Sequence, residues 1–411
     1  MTTPPKRQLN GRLIAVVAAT AVAAVAIGGA LAYRQGPESA SSTLAAPLGG
    51  TPSPTPAPTP STTPSPTPML TSTPVVVPTQ TPKPKLSLTP KSTTPEAPSG
   101  PVALEAAKLT QGRDPQLAYR FDRTVLGAGK ELKVPSNGSL MEVARLGSSV
   151  LATTSGGDLL KVGSSGAVVS RTPHVMTLAG TADQSAVAYA TTPPVVVGQQ
   201  TYGATLYADN GSSVKSLDLP DVQSIYVLAY TKETIYYKAS VKGAETTLKL
   251  YSWTPGAAKA TPVKTVTGDA MAVSQDGRLA SALPANNTGD GCSTVVEIAT
   301  GKKRFKTCDY RVTGFTPDGS VAIATPAYGD SYCSNIITAL DSRTGDVKRQ
   351  WSGCFYEATA EDEQNLLMVA VVAGGGQDPN TKSTVVRCSL DTATCERATG
   401  IVAAKQIDFA R

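Results

Sequence analysis

The chain has 411 residues and a single histidine, His174. Acid–base relays and nucleophilic triads built on imidazole are hard to assemble from it. There is no G-x-S-x-G elbow, no phosphate-binding glycine loop, no Asp-rich calcium loop and no C-x-x-C pair for zinc. Gly374-Gly375-Gly376 has no helical pattern after it, so it reads as a flexible loop rather than a phosphate cradle. We therefore expect no metal and no cofactor. Strong charge is also missing where it would matter. The formal net charge is +6, but residues 1–100 hold seven Lys/Arg and only two acids. Subtracting these from totals of 37 and 31 leaves 30 basic and 29 acidic residues beyond position 100. With no basic run in that part, nucleic acid is not an expected partner. Past residue 101 there is no long helical periodicity either, which removes the helical fold classes.

What is present begins at the N-terminus. Lys6, Arg7 and Arg12 precede an uncharged run, Leu13 to Tyr33, rich in Ala, Val, Ile and Leu. About 20 apolar residues span a bilayer, and positive charge holds the preceding end in the cytoplasm. Residues 1–12 are expected to be cytoplasmic, 13–33 a transmembrane helix, and everything after it extracytoplasmic. A cleaved signal peptide is the competing reading, because Ala30-Leu31-Ala32 fits a small-residue cleavage site. Residues 34–100 follow as a stalk, with fifteen prolines between 51 and 100. Its Thr-Pro and Ser-Pro steps favour polyproline II, and at about 3.1 Å per residue it reaches at most roughly 200 Å.

Residues 101–411 read as all-β: short alternating runs such as Val321–Thr325 and Thr234–Lys238 separated by Gly, Asp and Pro turns. The turns recur. Ser274-Gln275-Asp276-Gly277 and Thr316-Pro317-Asp318-Gly319 are the clearest, with weaker equivalents at Ser148, Asp183, Lys232 and Glu363. Their spacing of 35 to 49 residues fits four strands per repeat. That predicts a β-propeller, most simply of seven four-stranded blades. In the last blade, Val402–Phe409 supplies the inner strand and Leu117–Arg123 with Lys130–Val134 the outer ones, which would seal the ring. Glu361-Asp362-Glu363 is expected to be a solvated turn, and His174 an inter-blade turn residue.

The Thr-Pro-Asp-Gly turn resembles the Pro-Asp-Gly repeats of WD-repeat-like bacterial propellers. Ala339-Leu340-Asp341-Ser342-Arg343-Thr344-Gly345 resembles the repeat of pyrroloquinoline-quinone-type propellers, although Trp351 comes two residues late. Glu297-Ile298-Ala299-Thr300-Gly301 is a weaker copy. These resemblances imply a fold and leave activity open.

All six cysteines follow residue 290, in an exported domain, and so read as disulfides. Their places in the repeat select Cys292–Cys308, Cys333–Cys354 and Cys388–Cys395, each across the hairpin of third and fourth strands. The second pair shares the register of Asp341 and Asp346; the first is off by one, which a bulge at Gly301 would absorb. Three long polar loops between second and third strands, at 284–291, 326–332 and 374–382, share the face of the inter-blade connectors. They carry Asn286, Asn287, Asp290, Tyr328, Asp330 and Tyr332, and the connectors add Tyr310, Phe355 and Tyr356. Aromatic and amide groups together suit recognition of protein or glycan. The expected function is non-enzymatic binding or scaffolding at the cell surface; the alternative is a propeller enzyme, quinone-dependent or hydrolytic.

Overall fold

A computed structural model describes residues 100–193, 199–285, 291–329, 332–376, 378–403 and 407–410. The spanning segment expected at 13–33, and the stalk apart from Gly100, lie outside them. Among the described residues no helix is long and apolar enough to cross a membrane.

The described chain is all-β, with one turn of 3₁₀ helix at Ala106–Lys108. Five sheets are four-stranded and a sixth has eight strands. The eight-stranded sheet is two four-stranded units joined through one long strand, Val347–Ala360, with Val102–Ala103 added at an edge. Val347–Phe355 pairs with the strand before it and Phe355–Ala360 with the strand after it. The first strands of successive units are Leu140–Leu146, Val175–Gly180, Val222–Tyr230, Asp269–Val273, Tyr310–Phe315, the second half of Val347–Ala360, and Ile407–Phe409. Each adjoins the next in this order, and Ile407–Phe409 adjoins Leu140–Leu146. This closed succession of antiparallel sheets is the arrangement of a β-propeller.

Closure joins the two ends of the domain. Ile407–Phe409 pairs with Tyr119–Phe121, followed by Thr124–Leu126 and Leu132–Lys133. The expected inner strand was longer, but Val402 pairs instead with Ser383 of the preceding unit. The expected run 117–123 is likewise cut short. Asp122 takes φ 52°, and the chain turns back at once into Thr124–Leu126. Apolar residues of this last unit pack on both neighbours: Tyr119, Ile407 and Phe409 with Leu367, Val369 and Val385, and Val125 and Leu132 with Leu140 and Val150.

The turn markers read from the sequence all fall between first and second strands. In three of them one local device recurs. The hydroxyls of Thr181, Ser274 and Thr316 accept the backbone N–H of Ala186, Leu279 and Val321 at 3.0, 2.9 and 3.0 Å. The aspartate two residues on, Asp183, Asp276 or Asp318, accepts further bonds from Ser185, Ser274 or Thr316. Gly277 and Gly319 then supply φ 70°, a left-handed conformation open to glycine without steric cost.

These bonds keep the carboxylates acidic. The Ser185 and Thr181 hydroxyls hold Asp183 at about 2. Burial pushes Asp318 up, but the Ser320 N–H and the Thr316 and Ser320 hydroxyls outweigh it, and the net shift is downward. A carboxyl whose folded pKa lies below its unfolded value adds stability above the unfolded value and loses it as pH falls. The melting temperature should therefore drop between about pH 4 and about pH 2, and Asp318→Asn should flatten that drop. A melting temperature constant over this window would remove the turn aspartates from the acid response.

The three disulfides pair as expected: Cys292–Cys308, Cys333–Cys354 and Cys388–Cys395. Their surroundings differ from expectation. The ladder beside Cys292–Cys308 slips between Val295 and Val296 rather than at Gly301. The ladder beside Cys333–Cys354, expected to be regular, slips twice. Its outer strand must bend out of one sheet into the next, and bulges accommodate that bend.

Before the first closed strand, residues 102–116 run along sheet edges as a strap, which the sequence pattern did not suggest. Val102–Ala103 adds in parallel to Trp351–Ser352, and Gln111 bridges to Arg397. Covering two outer strands removes exposed edges that would invite pairing with other chains. A buried ion cluster fastens the strap. Arg387 Nη2 donates to Glu361 Oε1 at 2.7 Å and Arg387 Nε to Glu361 Oε2. The Gln116 N–H reaches the same carboxylate at 2.6 Å, and Arg387 donates to the carbonyls of Arg113 and Asp114 at 2.9 and 3.0 Å. The Glu361 side chain is 1% exposed. The solvated turn expected at 361–363 is corrected here: its first residue is an interior anchor.

Candidate functional site

The loops between second and third strands share a face with the starts of the first strands, because the strands alternate in direction. On that face the loops of the fourth, fifth and sixth units meet. A Cβ placed on Gly291 would lie 3.0 Å from the Tyr328 hydroxyl oxygen, so the loops of the fourth and fifth units touch there. A Cβ on Gly376 would lie 2.8 Å from the Tyr332 ring, which brings the fifth unit's loop against the sixth. Both glycines have positive φ, 53° and 59°. The tyrosines remain 69% and 75% exposed. Three loops of separate sequence origin thus form one surface with two aromatic rings.

The other expected site residues are divided. Asn286, Asn287, Asp290 and Asp330 lie outside the described residues. Tyr356 is exposed beside a register slip between Phe355 and Glu357. Tyr310 is half-buried, and its hydroxyl oxygen accepts from Gln350 Nε2 at 2.8 Å. Phe355, expected on the face, is 1% exposed and sits in the apolar cluster with Trp351 and Leu366. The strand alternation that turns Tyr356 outward turns Phe355 inward. His174 is exposed at the connector between the first two units, at φ 61°.

Bulges recur on the inner ring. In each of the first six units the register of the first strand against the second slips at least once. Bulges re-aim side chains near functional sites, and here they fall at Met176, Met271 and Tyr356 among others. Tyr226, Asp269 and Arg311 lie next to such slips. They occupy equivalent places on three successive first strands, opposite Lys238, Leu283 and Thr325. A cavity of about 360 Å³ opens beside the last two, lined by Asp269, Met271 and Arg311 with Thr246, Thr247 and Pro284. Lys238 Nζ bonds Asp269 Oδ1 at 2.8 Å and lies 5.7 Å from the Tyr226 ring centre. Sequence reading missed this site. Its residues come from three units, and each is an ordinary strand or strand-end residue in its own segment. Among the described residues, no group of three or more His, Cys, Asp or Glu side chains could hold a metal ion.

No protein-family model matches the chain, and no curated protein sequence matches it. Solved structures of similar shape include a propeller named Dos1, with 10% identity over 73% of this chain and 89% of that one, at a TM-score of 0.44. Hsv2 of Kluyvelomyces marxianus has 10% identity over 71% and 98%, with a TM-score of 0.42. An oligogalacturonate lyase in complex with manganese has 10% identity over 61% and 79%, with a TM-score of 0.45. Likenesses this distant say nothing of activity, and the fold assignment rests on the sheet topology.

Proposed function

We propose that the chain is a seven-bladed, non-enzymatic recognition propeller, held outside the cell by the apolar segment 13–33 and the Pro/Thr stalk. Its ligands are protein or glycan components of the cell envelope, bound on the loop face of the fourth to sixth units. The repeats are of the Asp-turn kind seen in WD-like and quinone-type propellers.

The observation that carries this reading is the convergence of loops through Tyr328 on Gly291 and Tyr332 on Gly376. Large exposed aromatic rings on a monomer's surface are characteristic of contact sites. Both rings are positioned by glycines from neighbouring loops, so the surface is built rather than incidental.

The test uses the full chain, recovered from membranes washed with high salt and solubilised in detergent. It should bind isolated cell-wall polysaccharide or purified envelope protein. The double substitution Tyr328→Ser, Tyr332→Ser should weaken that binding about tenfold or more with an unchanged melting temperature. Equal binding by parent and variant would overturn the loop-face assignment, and recovery of the protein only in the medium would overturn the anchor.

A further inference from the structure

We infer that the cavity between the third, fourth and fifth units is a binding site for a carboxylate-bearing sugar, with Arg311 as the carboxylate partner. The inference deepens the recognition reading above and rests on it.

Arg311 differs from the other arginines whose Nε is buried without a partner. Arg120 pairs with Asp408, Arg304 with Glu297, and Arg349 with the Asp391 carbonyl through another nitrogen. Among the described residues no hydrogen bond or ion pair reaches a side-chain nitrogen of Arg311. A guanidinium always carries its charge and presents its donors as a planar fork matched to carboxylate. The Arg311 Nε is buried and unsatisfied, which is costly, although the residue as a whole is only half-buried. Pairing Arg311 with Asp269, which lines the same cavity, would have removed the cost. The two do not pair: Asp269 is taken by Lys238 instead. The cavity therefore keeps one cationic fork open on one side.

The rest of the lining suits a polyhydroxy ligand. Thr246 and Thr247 both line the cavity, a threonine hydroxyl is both donor and acceptor, and the second oxygen of Asp269 can accept from a ligand hydroxyl. The Lys238 contact already neutralises Asp269, so the net charge facing a ligand is that of Arg311. A volume of about 360 Å³ lies at the small end of ligand sites, enough for a sugar ring with its substituents and too small for a folded partner. The site lies on the same face as the tyrosine loops. A longer acidic glycan could seat one residue here and run across Tyr328.

The experiment is calorimetric titration of the full chain in detergent with glucuronate, glucose and acetate. Glucuronate should bind at least tenfold more tightly than either, since glucose lacks the carboxylate and acetate the hydroxyls. Arg311→Gln should lose at least tenfold in glucuronate affinity. It removes no hydrogen bond or ion pair among the described residues, so its melting temperature should match the parent. Thr247→Val should weaken glucuronate and leave acetate unchanged, which separates sugar from simple carboxylate. Absence of glucuronate binding, equal binding of glucose, or an Arg311→Gln variant that binds like the parent would each overturn the inference. Acetate binding as tightly as glucuronate would overturn the sugar assignment. If envelope polysaccharide still binds through the tyrosine loops while glucuronate fails, the inference falls and the recognition reading stands.

Discussion

Replacing Glu361 with glutamine should cost the fold about 3 kcal/mol or more, measured as a lower urea midpoint at unchanged slope. The reason is the position of the charge. Arg387 and Glu361 have side chains 5% and 1% exposed. Breaking a buried pair by removing one charge leaves the other unpaired in a poor solvent, which typically costs about 3–5 kcal/mol. The lower end applies because Arg387 keeps Glu396 at 2.6 Å, and that partner is 37% exposed. Total stabilities of domains are about 5–15 kcal/mol, so the loss would be visible without special conditions. The double substitution Glu361→Leu, Arg387→Met should cost less than either single change, since no charge is stranded. Part of the loss is the strap. The Gln116 N–H and Arg113 both end on this carboxylate, so protease cleavage between 102 and 116 should accelerate in Glu361→Gln. A shift under about 1 kcal/mol with unchanged proteolysis would show that water replaces the carboxylate at little cost.

Ending the chain at residue 401 should be as damaging, by a different route. The lost segment contains Ile407 and Phe409, 5% and 3% exposed. Burying such side chains is worth about 1.5–3 kcal/mol each. The Phe409 N–H bond to Glu357 at 3.0 Å and the ion pair of Arg120 with Asp408 go with them. Arg120 is 4% exposed and would lose this carboxylate partner. Tyr119–Phe121 would become an open edge at the inside of the ring, a template for pairing with another chain. The truncated chain should melt at a lower temperature than the parent and form oligomers in sedimentation. A truncated chain that melts like the parent and stays monomeric would make the last strand dispensable and deny the two-ended closure.

Much of the fold was legible because its signals are local. The Ser/Thr-x-Asp turns write their own hydrogen bonds within five residues, so those of Ser274 and Thr316 could be recognised in isolation, and that at Asp183 only as a weaker equivalent. Repeating those turns set the strand count, and the count placed the cysteines opposite one another. Register slips were misplaced because a bulge answers to the bend of the whole sheet, which no single hairpin records. Glu361 was misread for the same kind of reason. Three acidic or polar residues at a turn look solvated until Arg387, Arg113 and Gln116 are brought to them from 26, 248 and 245 positions away.

By itself, then, the sequence determined the class of fold, the repeat, the three disulfide pairs and the sealing of the ring by both ends of the domain. These follow from periodicity and from turn chemistry, which act over a few residues. Only the tertiary structure decided where the strap lies, which tyrosines are presented on one surface, and that Arg311 lines a cavity with no side-chain hydrogen bond or ion pair among the described residues. Each of these depends on residues from different units meeting at a ring interface. Burial and electrostatic pairing there are set by neighbours in space, and strand propensity along the chain carries no record of them.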